Sequence, residues 1–202
     1  MNDKGIIAVV SGPSGVGKGT ICSYLVEKYD DFFLSVSVTS RKPRPHEIDG
    51  VHYHFKTPEE FEEIKNSGGF LEYADYVDKS YGTPKAPCYE HIDKGINAIL
   101  EIEIQGGMMV KEQEPDAVMI FVVPPSMEEL ESRLRGRGTE TEDVIQQRLA
   151  RAKEELASME DYEYIVVNNT VEEAAEQIRS IINSESLKTK NIFNKVKKEL
   201  KL

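Results

Sequence analysis

The stretch VVSGPSGVGKGTI, residues 9–21, gathers four glycines, Gly12, Gly15, Gly17 and Gly19, around a single cation, Lys18. Glycine loses more conformational freedom on ordering than any other residue, so this density implies backbone N–H groups that must reach something no side chain can obstruct. The spacing Gly12-x-x-x-x-Gly17-Lys18 is that of a phosphate-binding loop up to its last position. In such a loop the amides and the start of the next helix surround an oligophosphate, and the lysine reaches its outer phosphates. The pattern has meaning only between a strand and a helix. Both are present: GIIAVV reads as a short buried strand, and TICSYLVEKY carries Ile21, Leu25, Val26 and Tyr29 at helical spacing. The common loop places Ser or Thr directly after the lysine as a magnesium ligand, whereas this chain has Gly19 there and a hydroxyl one position later, at Thr20. The loop alone leaves the metal ligand open.

Further strands are expected at FFLSVSV (32–38), AILEIEI (98–104), AVMIFVV (117–123) and YIVVN (164–168), alternating with helices near 105–114, 126–135, 141–160 and 171–183. That alternation predicts an α/β fold with a parallel sheet covered on both faces. Between residues 39 and 96 the rhythm breaks into a segment rich in Arg, Pro, His, Tyr and Gly, with VHYHF and GFLEYADYV around a helix at 58–67. It reads as a small inserted lobe. A second irregularity, RLRGRGTETEDVIQQRLARA, crowds Arg133, Arg135, Arg137, Arg148 and Arg151 around glycines and a polar turn. Either a solvated ion-pair face or an anion-binding segment accounts for it. After Ser184 the chain turns lysine-rich, with Ile192, Phe193, Val196 and Leu200 at near-helical spacing, which predicts an amphipathic helix packed on the body or on a partner.

The chain has 202 residues, 39% hydrophobic and 30% charged, enough for one core with small inserted lobes. A net charge of −11 disfavours general binding to nucleic acid, so any anionic ligand must be held by local clusters of Arg and Lys. Cys22 and Cys88 lack metal-type spacing and read as reduced packing residues. No apolar run approaches ~20 residues and MNDKGIIAVV lacks a cleavable signal pattern, so the expectation is a cytoplasmic protein without a membrane span.

Ordered motifs carry the reading further. SGPSGVGKGT, SVSVTSRKPRPHEIDGVHYHF, GGFLEYADYVDKSYGTP, ILEIEIQGG, VPPSMEELESRLRGRGTETEDVIQQRL and YIVVNN follow one another from about residue 5 to residue 183. In this the chain resembles the guanylate kinases, which phosphorylate GMP at the expense of ATP. The resemblance implies a P-loop NTPase-type parallel sheet core (1–36, 97–125 and 151–185), a GMP-binding lobe (37–96), a mobile lid (126–150) and a lysine-rich C-terminal helix or tail (186–202). It also implies Mg2+, with ATP as phosphoryl donor and GMP, with dGMP, as acceptor. The oligomeric state stays open.

What the resemblance implies for single residues has a chemical basis. The GMP phosphate is a dianion that must be held in line with the γ-phosphate of ATP, and Arg41, Arg44, Tyr53 and Tyr81 match the family's positions for it. Guanine presents its N1–H and exocyclic amine side by side, and one carboxylate accepts both; adenine would set a lone pair against it. Glu72 matches that carboxylate, with Ser37 and Thr83 at the family's hydroxyl positions near the base. Glu101 and Glu103, two residues apart at a strand end, stand where the family usually has aspartates; one is expected to serve magnesium through water and one to touch the acceptor nucleoside. ATP is assigned to Gly12, Pro13, Ser14, Gly15, Val16, Gly17, Lys18, Gly19 and Thr20, with Asn168 near adenine; Thr20 and Glu101 are the metal candidates. Lys18, Arg44, Arg137 and Arg148 are the expected catalytic cations. Two rival readings are a guanylate-kinase-like peptide-binding module, which typically lacks an intact loop and lid, and a P-loop kinase for another acceptor, which would lose Glu72 or the SRKPR clamp.

Overall fold

The computed structural model describes residues 4–76, 78–136 and 141–202. Five strands, β1 (Ile7–Ser11), β2 (Phe32–Leu34), β7 (Asn97–Glu101), β8 (Val118–Val123) and β9 (Tyr164–Val167), form a sheet in the order β2-β7-β1-β8-β9. Every pairing in it is parallel. Alternate side chains point to opposite faces, and here both faces are covered, which is why the central strands read as unbroken apolar runs. Ala8 and Val10 pack with Ile120 and Val122 against Ile21 and Leu25 of α1 (Lys18–Lys28) and Ile178 and Ile182 of α7 (Val171–Ser186). Ile7 and Val9 pack with Met119 and Phe121 against Cys88 of α3 (Lys85–Ile92) and Val110 of α4 (Ile104–Gln113) on the other face.

The inserted segment builds its own sheet from β3 (Val38–Thr39), β4 (His54–Phe55), β5 (Phe70–Tyr76) and β6 (Lys79–Pro84), ordered β4-β3-β6-β5. Helix α2 (Pro58–Asn66) starts from a capping box, in which the Thr57 hydroxyl accepts from the Glu60 amide and the Glu60 carboxylate accepts from the Thr57 amide. It buries Phe61 against Phe70, ring centroids 4.7 Å apart, with Val38 completing a small core. Helices α5 (Met127–Gly136) and α6 (Glu142–Ala157) pair through Leu130, Leu134, Ile145, Leu149 and Ala152.

Two sequence expectations change. FFLSVSV is not one strand: Phe32–Leu34 pairs with β7, whereas Val38–Thr39 pairs with β4 and β6. The Ser35 amide makes the last bond to the core, to the Ile99 carbonyl at 2.9 Å, and the Ser37 carbonyl makes the first to the lobe, from the His54 amide at 2.8 Å. Alternation in a short run marks extended backbone, but sheet membership is decided by partners distant in sequence. AILEIEI also ends early, at Glu101, because Glu103 in extended conformation caps α4 and Ile104 is already helical. Glu101 and Glu103 therefore do not share a strand face. The lysine-rich tail forms the expected helix, α8 (Thr189–Glu199), tied to the body by Lys190 to Asp116 at 2.5 Å and by the Asn191 side-chain amide to the Glu185 carbonyl at 2.8 Å. No helix among the described residues is long and apolar enough to cross a membrane.

Candidate active site

Strand β1 ends at Ser11 and α1 begins at Lys18, so the glycine-rich stretch spans the carboxyl edge of the parallel sheet, where ligands bind in this architecture. Two glycines are forced. A Cβ on Gly12 would stand 2.2 Å from the Val122 carbonyl oxygen, and Gly17 caps α1 in the left-handed region with φ 97°. Ser14, Gly15, Gly17, Lys18, Gly19, Thr20 and Glu101 line a cavity of about 300 Å³. Lys18 folds back into the loop, its Nζ donating to the carbonyls of Gly12 at 2.6 Å and Pro13 at 3.2 Å. Burial pulls the lysine's pKa down, opposed first by the charge of Glu101 and then by that of Glu155. The Glu101 carboxyl is pushed up by the protein around it and pulled down by Lys18.

The departure from the common loop at Gly19 has a steric correlate. A Cβ there would lie 3.3 Å from Glu101 Oε2, so a side chain would nudge the carboxylate, and Thr20 lines the same cavity. Among the described residues no group of three or more acidic, His or Cys side chains could hold a metal by itself. One carboxylate and one hydroxyl beside a phosphate loop suit magnesium, which keeps several waters and takes its remaining ligands from substrate phosphates.

Asn168, expected near adenine, is buried and braces the loop: its Nδ2 donates to the Val16 carbonyl at 2.7 Å. Arg133 spans the same two residues, donating to the Asn168 carbonyl at 3.0 Å and, at a longer 3.4 Å, to that of Val16. Sequence reasoning placed Arg133 in an arginine cluster and gave it no task. Glu155 was missed altogether. Its Oε2 accepts from the Ser14 amide of the loop at 3.3 Å, and its Oε1 accepts from Arg151 Nε at 2.7 Å. Arg151 also reaches Glu103 at 3.4 Å, linking helix α6 to both sides of the site. Arg148 is half-buried on α6, and Arg137 lies outside the described residues.

In the lobe, Glu72 on β5 is 7% exposed and accepts from the Thr83 hydroxyl on the paired strand β6 at 2.6 Å. Burial raises its carboxyl pKa; the bonds from Thr83 oppose this, and the charge of Glu103 adds to it. Glu103 thus acts electrostatically on both Glu72 and Lys18, so the two halves of the site share one carboxylate. Of two consecutive glycines in α4, the first makes room for Glu72 and the second for Tyr162. A Cβ on Gly106 would stand 2.8 Å from Glu72 Oε2, and one on Gly107 would stand 2.7 Å from the Tyr162 hydroxyl. A helical glycine costs roughly 1 kcal/mol relative to alanine, so consecutive glycines within a helix are a signal that was available in IQGG.

The SRKPR segment brings Arg41 against Tyr53, guanidinium to ring centroid 5.5 Å, and Tyr53 against Tyr81, centroids 5.8 Å apart. Burial raises the Tyr53 hydroxyl's pKa, keeping it a donor. Ser37 is half-buried where the chain passes from core to lobe, and the Arg44 side chain is exposed. Another missed residue, Glu47, chelates Arg41 with both carboxylate oxygens, each contact 2.8 Å.

Comparison with known proteins gives one answer. The guanylate kinase family model matches residues 4–185. The guanylate kinases of Streptococcus pyogenes serotypes M3 and M28 are each 48% identical over 203 residues, covering 100% of this chain and 96% of the relative. A crystal structure of guanylate kinase from Anaplasma phagocytophilum superposes with a TM-score of 0.74 at 34% identity, covering 94% of this chain and 90% of that one. A phosphate loop, a lobe with a buried carboxylate and matches of this extent lead to the same conclusion: the chain belongs to the guanylate kinase family.

Proposed function

We propose that this protein transfers the γ-phosphoryl group of ATP to GMP, and to dGMP, giving the nucleoside diphosphates, with free cytoplasmic nucleotides as its substrates. The observation that carries the acceptor's identity is Glu72, a buried carboxylate with one oxygen held by Thr83 and the other fenced by Gly106. Ionised, it accepts both guanine donors; facing adenine it would leave a buried charge against a lone pair, a mismatch that polar sites reject strongly. The Thr83 proton is already given to Glu72, so Ser37 is the hydroxyl left to donate to O6.

Arg41, Arg44, Tyr53 and Tyr81 hold the acceptor phosphate by charge-assisted hydrogen bonds. On the donor side Lys18 exchanges the carbonyls of Gly12 and Pro13 for the outer phosphates, and the loop amides take the rest. Transition-state charge spreads over the transferred oxygens, so catalysis is positioning and cationic stabilisation, the task assigned to Lys18, Arg44, Arg148 and Arg137. Thr20 and Glu101, partly through water, would hold Mg2+, which would supply neutralisation of the phosphate charge. Closure of the lobe and of the α5–α6 segment excludes water, which would otherwise divert ATP to hydrolysis. The net charge of −11 argues against nucleic acid as the acceptor.

Diphosphate formation with ATP and magnesium, offering GMP, dGMP, AMP, CMP and UMP in parallel, tests this reading. Turnover confined to GMP and dGMP is expected. Transfer to another acceptor overturns the role of Glu72, and no transfer at all makes the protein a binding module on a kinase fold.

A further inference from the structure

Glu47 is absent from the ligand set above, yet its carboxylate accepts three hydrogen bonds within the acceptor loop. Its Oε1 accepts from Arg41 Nη2 at 2.8 Å; its Oε2 accepts from Arg41 Nη1 at 2.8 Å and from the Arg44 backbone amide at 2.6 Å. The paired side chains are only 14% and 16% exposed. One carboxylate therefore fixes the guanidinium of the first clamp arginine and the backbone of the second.

The Arg41 guanidinium carries five donors. Nη1 gives one hydrogen to Glu47 and one to the Lys42 carbonyl at 2.8 Å. Nη2 gives one to Glu47, and Nε, buried, has no hydrogen-bond partner among the described residues. The guanidinium also interacts with the Tyr81 hydroxyl, so Glu47 holds Arg41 among the other residues read as the phosphate clamp. The guanidinium carbon also lies over the rings of Tyr53 and Phe55, 5.5 and 5.8 Å from their centroids.

We propose that Glu47 is a positioning residue of the acceptor site, holding Arg41 by its Nη edge so that the guanidinium is fixed beside Tyr53 and Tyr81, where a phosphomonoester dianion binds. Pre-setting a long, rotamer-rich side chain removes ordering cost from the binding step. The inference rests on the reading of Arg41 and Arg44 as the phosphate clamp.

Steady-state kinetics with GMP and ATP varied separately, on Glu47→Gln, Arg41→Met and the double variant, test it. Glu47→Gln keeps volume but weakens the chelate, and is expected to raise KM for GMP by about tenfold, the equivalent of 1.4 kcal/mol, with KM for ATP unchanged. The double variant should lose clearly less than the sum of the two single losses, because Glu47 acts mainly through Arg41 and only in part through the Arg44 backbone. A lowered KM for GMP would make Glu47 a competitor, and losses that add in the double variant would make it independent of Arg41; either overturns the proposal. A raised GMP KM in Arg41→Met with none in Glu47→Gln overturns the role of Glu47 alone, whereas no change in either removes the clamp reading as well. Should Glu47→Gln not fold, Glu47→Asp keeps the charge with shorter reach, and its GMP KM must still rise while that for ATP does not.

Discussion

Thr83 donates a 2.6 Å hydrogen bond to Oε1 of the buried Glu72, and this bond counters the burial that pushes the carboxyl's pKa up. Glu103 is the other charged group acting on Glu72, and it pushes in the same direction as burial. Guanine recognition needs the ionised carboxylate, which is lost as pH falls through the raised pKa. The acid limb of kcat/KM for GMP should accordingly lie above the ordinary glutamate range of about 4.3. Thr83→Ala removes a bond that favours the charged form, so the limb should move to higher pH; Thr83→Ser should leave it in place. A pH profile of kcat/KM for GMP on the three proteins decides the matter, and coincident acid limbs would refute the coupling.

Gly106 sets the back wall for the same carboxylate. Its Cβ, if present, would meet Glu72 Oε2 at 2.8 Å and Cδ at 3.2 Å, so Gly106→Ala must displace the Glu72 side chain. Alanine is worth roughly 1 kcal/mol to a helix, which offsets much of the strain on stability. The expected result is an order-of-magnitude rise in KM for GMP, a near-normal KM for ATP and little change in melting temperature. Kinetics paired with thermal melts check it; an unaltered GMP KM would mean that Glu72 does not read the base from this position.

The strand, glycine loop and first helix were legible because each is written locally, in an apolar run, in glycines and in a 3.6-residue period. The buried strands β1 and β8 were legible for the same reason. FFLSVSV was not, since nothing within it says that Phe33 will pair with Ala98 and Val38 with His54. The side chains that ligand chemistry demands, Lys18, Arg41 and Glu72, could be named from motifs. Their supporting partners were hidden by sequence distance: Asn168 grips Val16 from 152 residues away and Glu155 reaches Ser14 from 141. Glu47 was close to Arg41 in sequence and still passed over, because an acidic residue in a basic loop looks like surface until its geometry is known.

Glu155 places a carboxylate on a loop amide that a nucleotide phosphate would claim, and its charge acts on Lys18. A phosphate arriving there must displace the 3.3 Å contact and overcome like-charge repulsion. Glu155→Gln should therefore tighten ATP binding severalfold, most at low ionic strength where screening is weakest, and leave GMP affinity unchanged. Calorimetric titration with ATP at two salt concentrations measures this. Weaker ATP binding in the variant would show that Glu155 supports the loop and does not oppose its ligand.

Asn168 offers the sharpest separation of donor from acceptor site. Its Nδ2 holds the Val16 carbonyl at 2.7 Å, and its own carbonyl receives Arg133 at 3.0 Å, a backbone contact that survives truncation of the side chain. Asn168→Ala leaves the Val16 carbonyl with only the 3.4 Å contact to Arg133 in buried surroundings. Losing a buried partner costs about 1–3 kcal/mol, or roughly 2–12 °C in melting temperature for a chain of this size. The loosened loop should weaken ATP binding while GMP binding, set in the lobe, stays constant. Asn168→Asp should be worse than alanine, because an anion would then face the Val16 carbonyl and any incoming phosphate. Melting temperatures and separate ATP and GMP titrations rank the three proteins, and an aspartate variant equal to wild type would remove Asn168 as the loop's brace.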